Sequence, residues 1–413
     1  MSVTLRPILA PIAVSTPAPS SPSPVPGSPA DALAQTYQRA PVPIVRGEGV
    51  YLYDADGREY LDFASGIAVN ALGYADAGIT RALSDAMQSG LIHTSNLFRT
   101  EPGEQLAAEL VRRSFADRVF FCNSGAEANE GAFKFVRKWA RATGGAAKHE
   151  IIALRGSFHG RLFASVAATD RPAYRLPFRP LAGGISIAER DERELDAVLT
   201  PESVAAVIVE PIQGEGGVRV IEPAMLHFLR RLTQERGIAL IFDEIQCGLG
   251  RTGTLFAYEQ SGVEPDVLTL AKPLAGGLPM GAILLRESIA SALQPGDHGT
   301  TFGGGPLVAS VALHVLGRLS APSMLAQVRE VGAWMGDALT EVMARTGKFR
   351  AVRGTGLMWG VDVPESAAGV VVRARDAGLI VLTAGEHTLR LLPPLVLTRD
   401  EAARGIALIE SVL

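Results

Sequence analysis

The sequence predicts an α/β fold with a mostly parallel central sheet, because strand-like and helix-like segments alternate along the chain. The run from Ile238 to Phe242 is entirely apolar, as is typical of a strand that is buried on both faces. The predicted elements, in chain order, are strand 118–122, helix 126–142, strand 150–154, strand 204–209, helix 224–236, and two strands that end at Asp243 and Ala271.

Polar side chains follow five of these strands at the point where each strand ends. They lie in segments 123–126 and 157–161, at Glu210, at Asp243 and Gln246, and at Lys272. The carboxyl ends of parallel strands meet at one edge of the sheet, and folds of this class bind their ligands there. The sequence therefore predicts a ligand site at this edge.

Two strand-end residues indicate the chemistry of that site. Lys272 ends one apolar run, where it is a candidate Schiff-base amine, and Asp243 ends another that is predicted to be buried. A buried carboxylate needs a cationic partner, and the protonated ring nitrogen of pyridoxal 5′-phosphate (PLP) would be one. An aspartate on that nitrogen and a lysine on the aldehyde are the binding pattern of this cofactor. Taken singly, Lys272 could be a solvated surface residue and Asp243 a helix cap.

The segment Asn123–Ala126 joins a predicted strand to a predicted helix, which puts the N–H groups of Gly125 and Ala126 at a helix N-terminus. Free donors and the helix dipole favour an anion there, so both residues are candidates for binding a phosphate. Alternatively, Asn123 and Ser124 serve only as N-caps. The chain has neither a GxxxxGK[ST] loop nor a GxGxxG fingerprint with an acidic ribose ligand, which argues against a nucleotide-dependent dehydrogenase.

Composition limits the other classes of function. The chain has 413 residues, 47% of them hydrophobic, which is enough for a large domain and a smaller one. A net charge of −4 gives no footprint for binding nucleic acid or an anionic membrane, and no apolar run reaches the ~18 residues of a membrane span. Cys122 and Cys247 form no CxxC pair and no Cys/His cluster, so the sequence predicts no metal site and favours a reducing, cytoplasmic setting.

Residues 1–30 differ in composition from the rest of the chain. They contain no Asp or Glu and are rich in Pro and Ser, so we expect a tail that does not pack. Arg6 is the only basic side chain there, which argues against an organelle transit peptide.

A series of motifs along the chain resembles the class III aminotransferases. In chain order they are NSGAEA at 123–128, SFHGR at 157–161, VEPIQGEGG at 209–217, IFDEIQCGLGRTG at 241–253, LAKPLAGGLP at 270–279, HGTTFGGGPL at 298–307 and LRLLPPL at 389–395. The resemblance runs from about residue 40 to the end, and the series is far more specific than any single motif. Within the class the motifs are most similar to those of the acetylornithine-type members.

This resemblance implies a PLP enzyme of fold type I, a homodimer whose active sites lie at the subunit interface. It also implies how the chain is divided. The expected parts are a tail over 1–30, an N-terminal segment of the small domain over 31–75, a large PLP-binding domain over 76–310, and a small α+β C-terminal domain over 311–413.

By the same resemblance, Lys272 would bind the PLP aldehyde and move the proton between the reacting carbons, while Asp243 would hold the proton of the ring nitrogen. The other implied cofactor contacts are Gln246 to the O3′ oxygen, Phe158 stacked on the ring, Gly125 and Ala126 on the phosphate, and Thr301 of the neighbouring subunit on the same phosphate. The contact from Thr301 requires a dimer. The alternative for Phe158 is an ordinary core aromatic.

Substrate recognition falls to two arginines in this comparison. Arg161 matches the arginine that binds a substrate carboxylate, and Arg390 matches the one that binds the α-carboxylate of 2-oxoglutarate; a planar guanidinium suits both. Glu215 matches the glutamate that pairs with the second arginine when the amine donor is bound. The chain departs from many relatives at Gly305, where they have Asn, and this leaves the role of an amide there open.

The implied reaction converts N2-acetyl-L-ornithine and 2-oxoglutarate to N-acetyl-L-glutamate 5-semialdehyde and L-glutamate, in arginine biosynthesis. Ornithine, succinylornithine, succinyldiaminopimelate and carrier-linked aminoadipate-semialdehyde (lysine pathway) aminotransferases remain alternatives with the same chemistry. A glutamate-semialdehyde-type aminomutase is disfavoured because it has no need of Arg390. A PLP-binding regulator without turnover would be expected to lack Lys272 or Asp243, and both are present.

Overall fold

The computed structural model describes residues 32–413, and the tail predicted over 1–30 lies outside these described residues. Residues 32–43 contain no strand or α-helix, and the segment Ile44–Leu413 forms one compact unit. The domain boundaries drawn from the resemblance stay a prediction.

Strands occur along the whole of the unit that begins at Ile44. They are β1 (Ile44–Glu48), β2 (Tyr51–Asp54), β3 (Glu59–Asp62), β4 (Arg118–Cys122), β5 (Glu150–Leu154), β6 (Ile185–Ala188), β7 (Val204–Val209), β8 (Ile212–Gln213), β9 (Arg219–Val220), β10 (Ala239–Asp243), β11 (Val267–Leu270), β12 (Gly281–Leu285), β13 (Ala351–Thr355), β14 (Met358–Asp362), β15 (Leu379–Ile380), β16 (Leu382–Thr383) and β17 (Thr388–Leu391).

Helices alternate with the strands in the middle of the chain and dominate its last third. They are α1 (Ser65–Ala68), α2 (Ala77–Gln88), α3 (Glu101–Arg112), α4 (Gly125–Gly144), α5 (Phe163–Ala167), α6 (Pro172–Arg175), α7 (Glu192–Val198), α8 (Pro223–Glu235), α9 (Tyr258–Ser261), α10 (Glu287–Ala290), α11 (Pro306–Leu319), α12 (Pro322–Thr346), α13 (Ala367–Asp376) and α14 (Arg399–Val412). No single described helix is both long and apolar enough to cross a membrane; only α11 and α12 together would pass such a test, and they are bent by 61°.

The central sheet has the strand order β4-β12-β11-β10-β7-β5-β6. Its pairs are parallel from β11 to β6, and β12 alone runs antiparallel to both of its neighbours. The α/β fold with a mostly parallel sheet is therefore confirmed. The predicted strands 118–122, 150–154 and 204–209 coincide with β4, β5 and β7.

Both faces of this sheet are buried, and β10 shows why its sequence is continuously apolar. Leu240 and Phe242 belong to the hydrophobic cluster on one face, which also contains the buried leucines of α8. Ala239 and Ile241 belong to the cluster on the other face, with the buried side chains of α4. Since successive side chains of a strand point to opposite faces, every position of β10 has to be apolar until the strand reaches the edge at Asp243.

Two four-stranded sheets and the two-stranded antiparallel pair β8-β9 complete the unit. One has the order β1-β2-β3-β15, so a strand near the N-terminus of the unit pairs in parallel with one near its C-terminus. The other, β13-β14-β17-β16, is antiparallel and carries Arg390 on β17. The second sheet thus brings a residue from the last part of the chain to the site described below.

Candidate active site

A cavity of about 420 Å³ opens at the carboxyl edge of the central sheet. The wall contains most of the residues that the sequence analysis predicted for a ligand site. These are Gly125, Ala126, Phe158, Arg161, Glu210, Glu215, Asp243, Gln246 and Lys272. The cavity forms where parallel strands end side by side, so residues that are far apart in sequence share one wall.

The carboxylate of Asp243 is buried and held by three neutral or titratable donors. Its Oδ2 accepts a hydrogen bond from Asn129 Nδ2 at 2.8 Å and lies 2.8 Å from His159 Nδ1, while Oδ1 accepts one from Ile245 N at 3.1 Å. None of these groups is a permanent cation. The carboxylate can therefore accept a further, cationic donor from the cavity, as a protonated ring nitrogen would provide.

Asn129 and His159 were given no role in the sequence analysis, although His159 lies within the SFHGR motif. Asn129 Nδ2 also donates to the carbonyl oxygen of His159 at 2.8 Å, and its Oδ1 accepts from Thr269 Oγ1 at 2.9 Å. Asn129 thereby fixes the end of β10 against α4. The available signal was a lone amide on the otherwise apolar buried face of α4.

Lys272 lies two residues after the end of β11 and is half-buried in the cavity wall. Its φ of 37° lies in the left-handed region, which is uncommon for a residue with a side chain and occurs at functional sites. Burial lowers the pKa of the Lys272 amine, the positive charge of Arg390 lowers it further, and the charge of Asp243 partly opposes this. A larger fraction of the amine is therefore neutral, and so able to take up a proton, than in an ordinary lysine.

The N-terminus of α4 presents unpaired donors to the cavity. Ser124 caps the helix by accepting from Glu127 N at 3.2 Å, but among the described residues no acceptor is found for the N–H groups of Gly125 and Ala126. A Cβ at position 125 would come within 2.8 Å of the Ile245 side chain, so glycine is also required there by packing. The free N–H pair suits an oxyanion such as a phosphate.

Arg390 lies behind the cavity with its guanidinium almost fully buried. Nη2 lies 2.7 Å from Glu215 Oε1, and Nη1 donates to Gln246 Oε1 at 3.1 Å. Nε has no partner among the described residues. Glu215 is held in a loop between β8 and β9, where Gly214 is needed because any Cβ would overlap the Gln246 amide. The guanidinium of Arg390 is thus already paired with a carboxylate of the chain itself, that of Glu215.

Arg161 differs from Arg390 because it is exposed and stacked on an aromatic ring. Its guanidinium carbon lies 3.2 Å from the centre of the Tyr174 ring and 5.8 Å from that of Phe158.

The backbone N–H of Phe158 donates to Glu210 Oε1 at 2.7 Å, and Glu210 Oε2 accepts from Gly214 N at 3.3 Å. Glu210 therefore joins the loop of Phe158 to the loop of Glu215.

Burial raises the pKa of Glu210 to about 7. The charge of His159 and the two backbone hydrogen bonds act in the opposite direction, and the charge of Asp243 adds to the increase. This buried acid sits among the polar residues of the cavity.

Among residues 32–413, no group of three or more His, Cys, Asp or Glu side chains is placed to hold a metal ion.

Thr301 does not reach the cavity within its own chain. It is exposed and lines a separate surface depression beside α11, together with Gly305. The neighbouring Thr300 points inward, where its Oγ1 accepts from Asn123 Nδ2 at 3.1 Å. Gly305 is the N-cap of α11 and makes no side-chain cap hydrogen bond.

A sequence model of the family described as "Aminotransferase class-III" matches residues 32–413. The chain belongs to the class III aminotransferases. It is therefore a transaminase, and enzymes of this class depend on PLP. The free N–H pair of α4, the uncompensated carboxylate of Asp243 and the lowered pKa of Lys272 fit that cofactor.

Several relatives of this aminotransferase are named acetylornithine aminotransferase. The mitochondrial enzyme of Alnus glutinosa is 47% identical over 90% of this chain and 84% of the relative. That of Xanthomonas axonopodis pv. citri is 48% identical over 90% and 92%, and that of Methanocaldococcus jannaschii 43% identical over 89% and 92%.

Solved structures with the same fold include two subgroups of the class. Ornithine aminotransferase from Toxoplasma gondii superposes with a TM-score of 0.88 at 31% identity, over 93% of this chain and 92% of that one. N-acetylornithine aminotransferase from Stenotrophomonas maltophilia gives a TM-score of 0.79 at 40% identity, over 91% and 96%. The sequence identity is higher to the N-acetylornithine enzyme, whereas the TM-score is higher for the ornithine enzyme.

Proposed function

We propose that this aminotransferase binds PLP and transfers the δ-amino group of N2-acetyl-L-ornithine to 2-oxoglutarate, which yields N-acetyl-L-glutamate 5-semialdehyde and L-glutamate. The observation that carries the proposal is the Glu215–Arg390 pair, 2.7 Å apart beside Lys272. The names of the relatives at 43–48% identity support acetylornithine as the amine donor.

Residues for each part of the cofactor are available in the cavity. Gly125 and Ala126 would hold the phosphate with their free N–H groups, Phe158 would cover one face of the ring, Gln246 would bond the O3′ oxygen, and Asp243 would hold the ring nitrogen. PLP, when bound, supplies a carbonyl that takes up amino groups and a ring that withdraws electrons from the carbon next to them.

In this arrangement Lys272 carries the proton. Because its pKa is lowered, the Nζ atom is able to take a proton from one reacting carbon and return it to the other position. Asp243, fixed by Asn129 and His159, keeps its carboxylate directed at the cavity throughout. The amine and the carboxylate lie at the ends of adjacent parallel strands, β11 and β10, which keeps their separation constant.

The Glu215–Arg390 pair explains how one pocket would serve two substrates. The reacting carbon of acetylornithine bears no carboxylate, so the paired, nearly neutral wall seen here suits it. The reacting carbon of glutamate does bear one, and that carboxylate would replace Glu215 on Arg390 through a bidentate contact. Glu215 is able to withdraw because it is held in a glycine-containing loop rather than in a helix or strand.

Arg161 would bind the carboxylate at the far end of either substrate. This is the α-carboxylate of acetylornithine and the γ-carboxylate of glutamate, each remote from the amino group that reacts. Arg161 lines the same cavity and has no ion pair among the described residues, so its charge is available. The two arginines together would select substrates by the position of their carboxylates.

The position of Thr301 supports a homodimer with shared active sites. Thr301 is exposed and outside its own cavity, so a contact with the phosphate would have to come from the partner chain. Large apolar side chains are exposed near it: Phe302 is 66% exposed, Phe98 71% and Leu97 90%. Apolar exposure of this kind is typical of an interface.

Both cysteines are unpaired and buried, which supports a cytoplasmic setting.

A donor panel tests the proposal. Purified enzyme with PLP is assayed with 2-oxoglutarate and, in parallel, with N2-acetylornithine, N2-succinylornithine, ornithine, succinyldiaminopimelate and 4-aminobutyrate. We expect the highest kcat/KM with acetylornithine and glutamate as the product. A clear preference for ornithine would assign the enzyme to the subgroup of the Toxoplasma gondii structure instead.

A further inference from the structure

One aromatic residue packs against two side chains of the cavity wall, Arg161 and Phe158, and has no part in the roles above. Tyr174 lies in α6 (Pro172–Arg175), and the guanidinium carbon of Arg161 is 3.2 Å from the centre of its ring. The ring also meets Phe158 edge-on, with their centres 6.3 Å apart and their planes at 82°. Tyr174 therefore packs against Phe158 and Arg161, both of which line the cavity.

Stacking of this kind leaves the hydrogen-bonding capacity of the arginine intact. A guanidinium on the face of a ring uses its own face for the contact, whereas its N–H donors point outward in the plane. Among the described residues, no carboxylate and no hydrogen-bond acceptor pairs with Arg161. The whole planar fork is free for a ligand carboxylate.

We propose that Tyr174 is a positioning residue that holds Arg161 ready for the distal carboxylate, and thereby sets the preference for substrates that carry one. This rests on the proposed function, in which Arg161 binds that group. An exposed arginine loses considerable side-chain freedom when it binds a ligand, and a ring that holds it beforehand reduces this loss. Without the ring, the carboxylate has to order the side chain itself.

The ring, rather than the hydroxyl group, carries this contact. Tyr174 Oη has no hydrogen-bond partner among residues 32–413, so Tyr174→Phe keeps the stacked face and removes nothing else that the structure uses. Tyr174→Leu removes the aromatic face, and Tyr174→Met does so with a more flexible side chain. The phenylalanine variant is thus a matched control for the other two.

The test compares substrates with and without a distal carboxylate. For Tyr174→Leu we expect KM for acetylornithine and 2-oxoglutarate to rise about 2- to 30-fold, with kcat changed less than about twofold. Putrescine, a diamine without a carboxylate, should react in single-turnover experiments as it does with wild type. Calorimetry with glutarate, an unreactive dicarboxylate, should show the same weakening of binding to the holoenzyme. Tyr174→Phe should match wild type in every assay.

Three results would overturn the proposal. They are equal damage by Tyr174→Phe, an equal loss with putrescine, and an undiminished effect of Tyr174→Leu in an Arg161→Ala background. The first would mean that the hydroxyl group, and not the ring face, carries the effect, and the other two would mean that Tyr174 acts independently of the contact between Arg161 and a carboxylate. If Tyr174→Leu does not fold, Tyr174→Met is measured in the same way. A wild type that uses neither acetylornithine nor glutamate would instead refute the proposed function, and the glutarate titration would still decide whether Tyr174 positions Arg161.

Discussion

The carboxylate of Glu215 lies 2.7 Å from the guanidinium of Arg390, and the two residues come from different parts of the fold. Glu215 follows β8, whereas Arg390 is on β17 in a separate antiparallel sheet. Both residues also act on the pKa of Lys272, Arg390 by lowering it and Glu215 by raising it. The state of this one ion pair therefore affects both the charge of the wall and the proton affinity of the amine.

Glu215→Gln should reduce kcat/KM for acetylornithine by at least about tenfold and leave that for glutamate nearly unchanged. With an uncharged side chain at 215, Arg390 stays unpaired when the substrate offers it no carboxylate, and truncating one partner of a buried ion pair costs about 2–5 kcal/mol. Glutamate restores the pair. Single-turnover spectra with each amine measure the two half-reactions, and Glu189→Gln, at an exposed glutamate paired with Arg155, is the control. Equal losses in both half-reactions would contradict the switch.

Arg390→Lys should have the opposite selectivity. A lysine keeps the positive charge but cannot form a bidentate contact with a carboxylate, so the glutamate half-reaction should slow by about tenfold or more, while the acetylornithine half-reaction changes little. The same single-turnover assay measures both. Unchanged affinity for glutamate and 2-oxoglutarate would mean that their α-carboxylate binds elsewhere.

Lys272→Ala should lower turnover by at least about a thousandfold, since general acid–base catalysis alone contributes roughly 10²–10⁴. The phosphate and ring contacts do not involve Lys272, so the variant should still bind PLP without a covalent bond. Borohydride treatment followed by mass spectrometry of the intact chain should label wild type and not the variant. Lys134→Ala, at an exposed lysine on α4, is the control; a variant at 272 that retains substantial turnover would exclude the assigned role.

Asp243→Asn should weaken PLP retention by about 10- to 150-fold, which corresponds to the ~1.5–3 kcal/mol of a hydrogen bond to a charged group. The amide also has an NH2 group that would face donors already present, Asn129 Nδ2 and His159 Nδ1. Dialysis followed by measurement of bound cofactor gives the change. Retention and activity equal to wild type without added PLP would show that Asp243 does not hold the ring nitrogen.

Glu244→Gln should change how stability depends on pH. Burial raises the pKa of Glu244 to about 8 from its ordinary value of 4.5, against two backbone hydrogen bonds that lower it. Below about pH 4.5 the carboxyl group is protonated in both the folded and the unfolded chain, so its stabilising effect is complete. As the pH rises towards 8, the unfolded chain loses this proton first. The free energy of unfolding then falls by up to ~1.4 kcal/mol per pH unit. The variant has no such group. The free energy of unfolding of wild type, relative to the variant, should therefore fall between pH 5 and 8, and a constant difference would contradict the raised pKa.

Much of the fold followed from the sequence because of a strict local requirement. A strand buried on both faces has to be apolar at every position, as β7 and β10 are, and the first polar residue then marks the edge of the sheet. That requirement located Glu210, Asp243 and Lys272 at strand ends. The helix α4 was predicted as 126–142 and extends over Gly125–Gly144, since its N-terminus is set by the Ser124 cap.

The sequence by itself determined which residues stand at the ends of strands, because hydrophobic periodicity and capping act between neighbours in the chain. Only the tertiary structure decided which distant residues touch. Asn129 reaches Asp243, Tyr174 stacks on Arg161, and Arg390 pairs with Glu215 on another sheet. These contacts depend on how strands and helices pack across the sheet edge, and no local pattern encodes that arrangement; the partners of each functional group were therefore visible only in the folded chain.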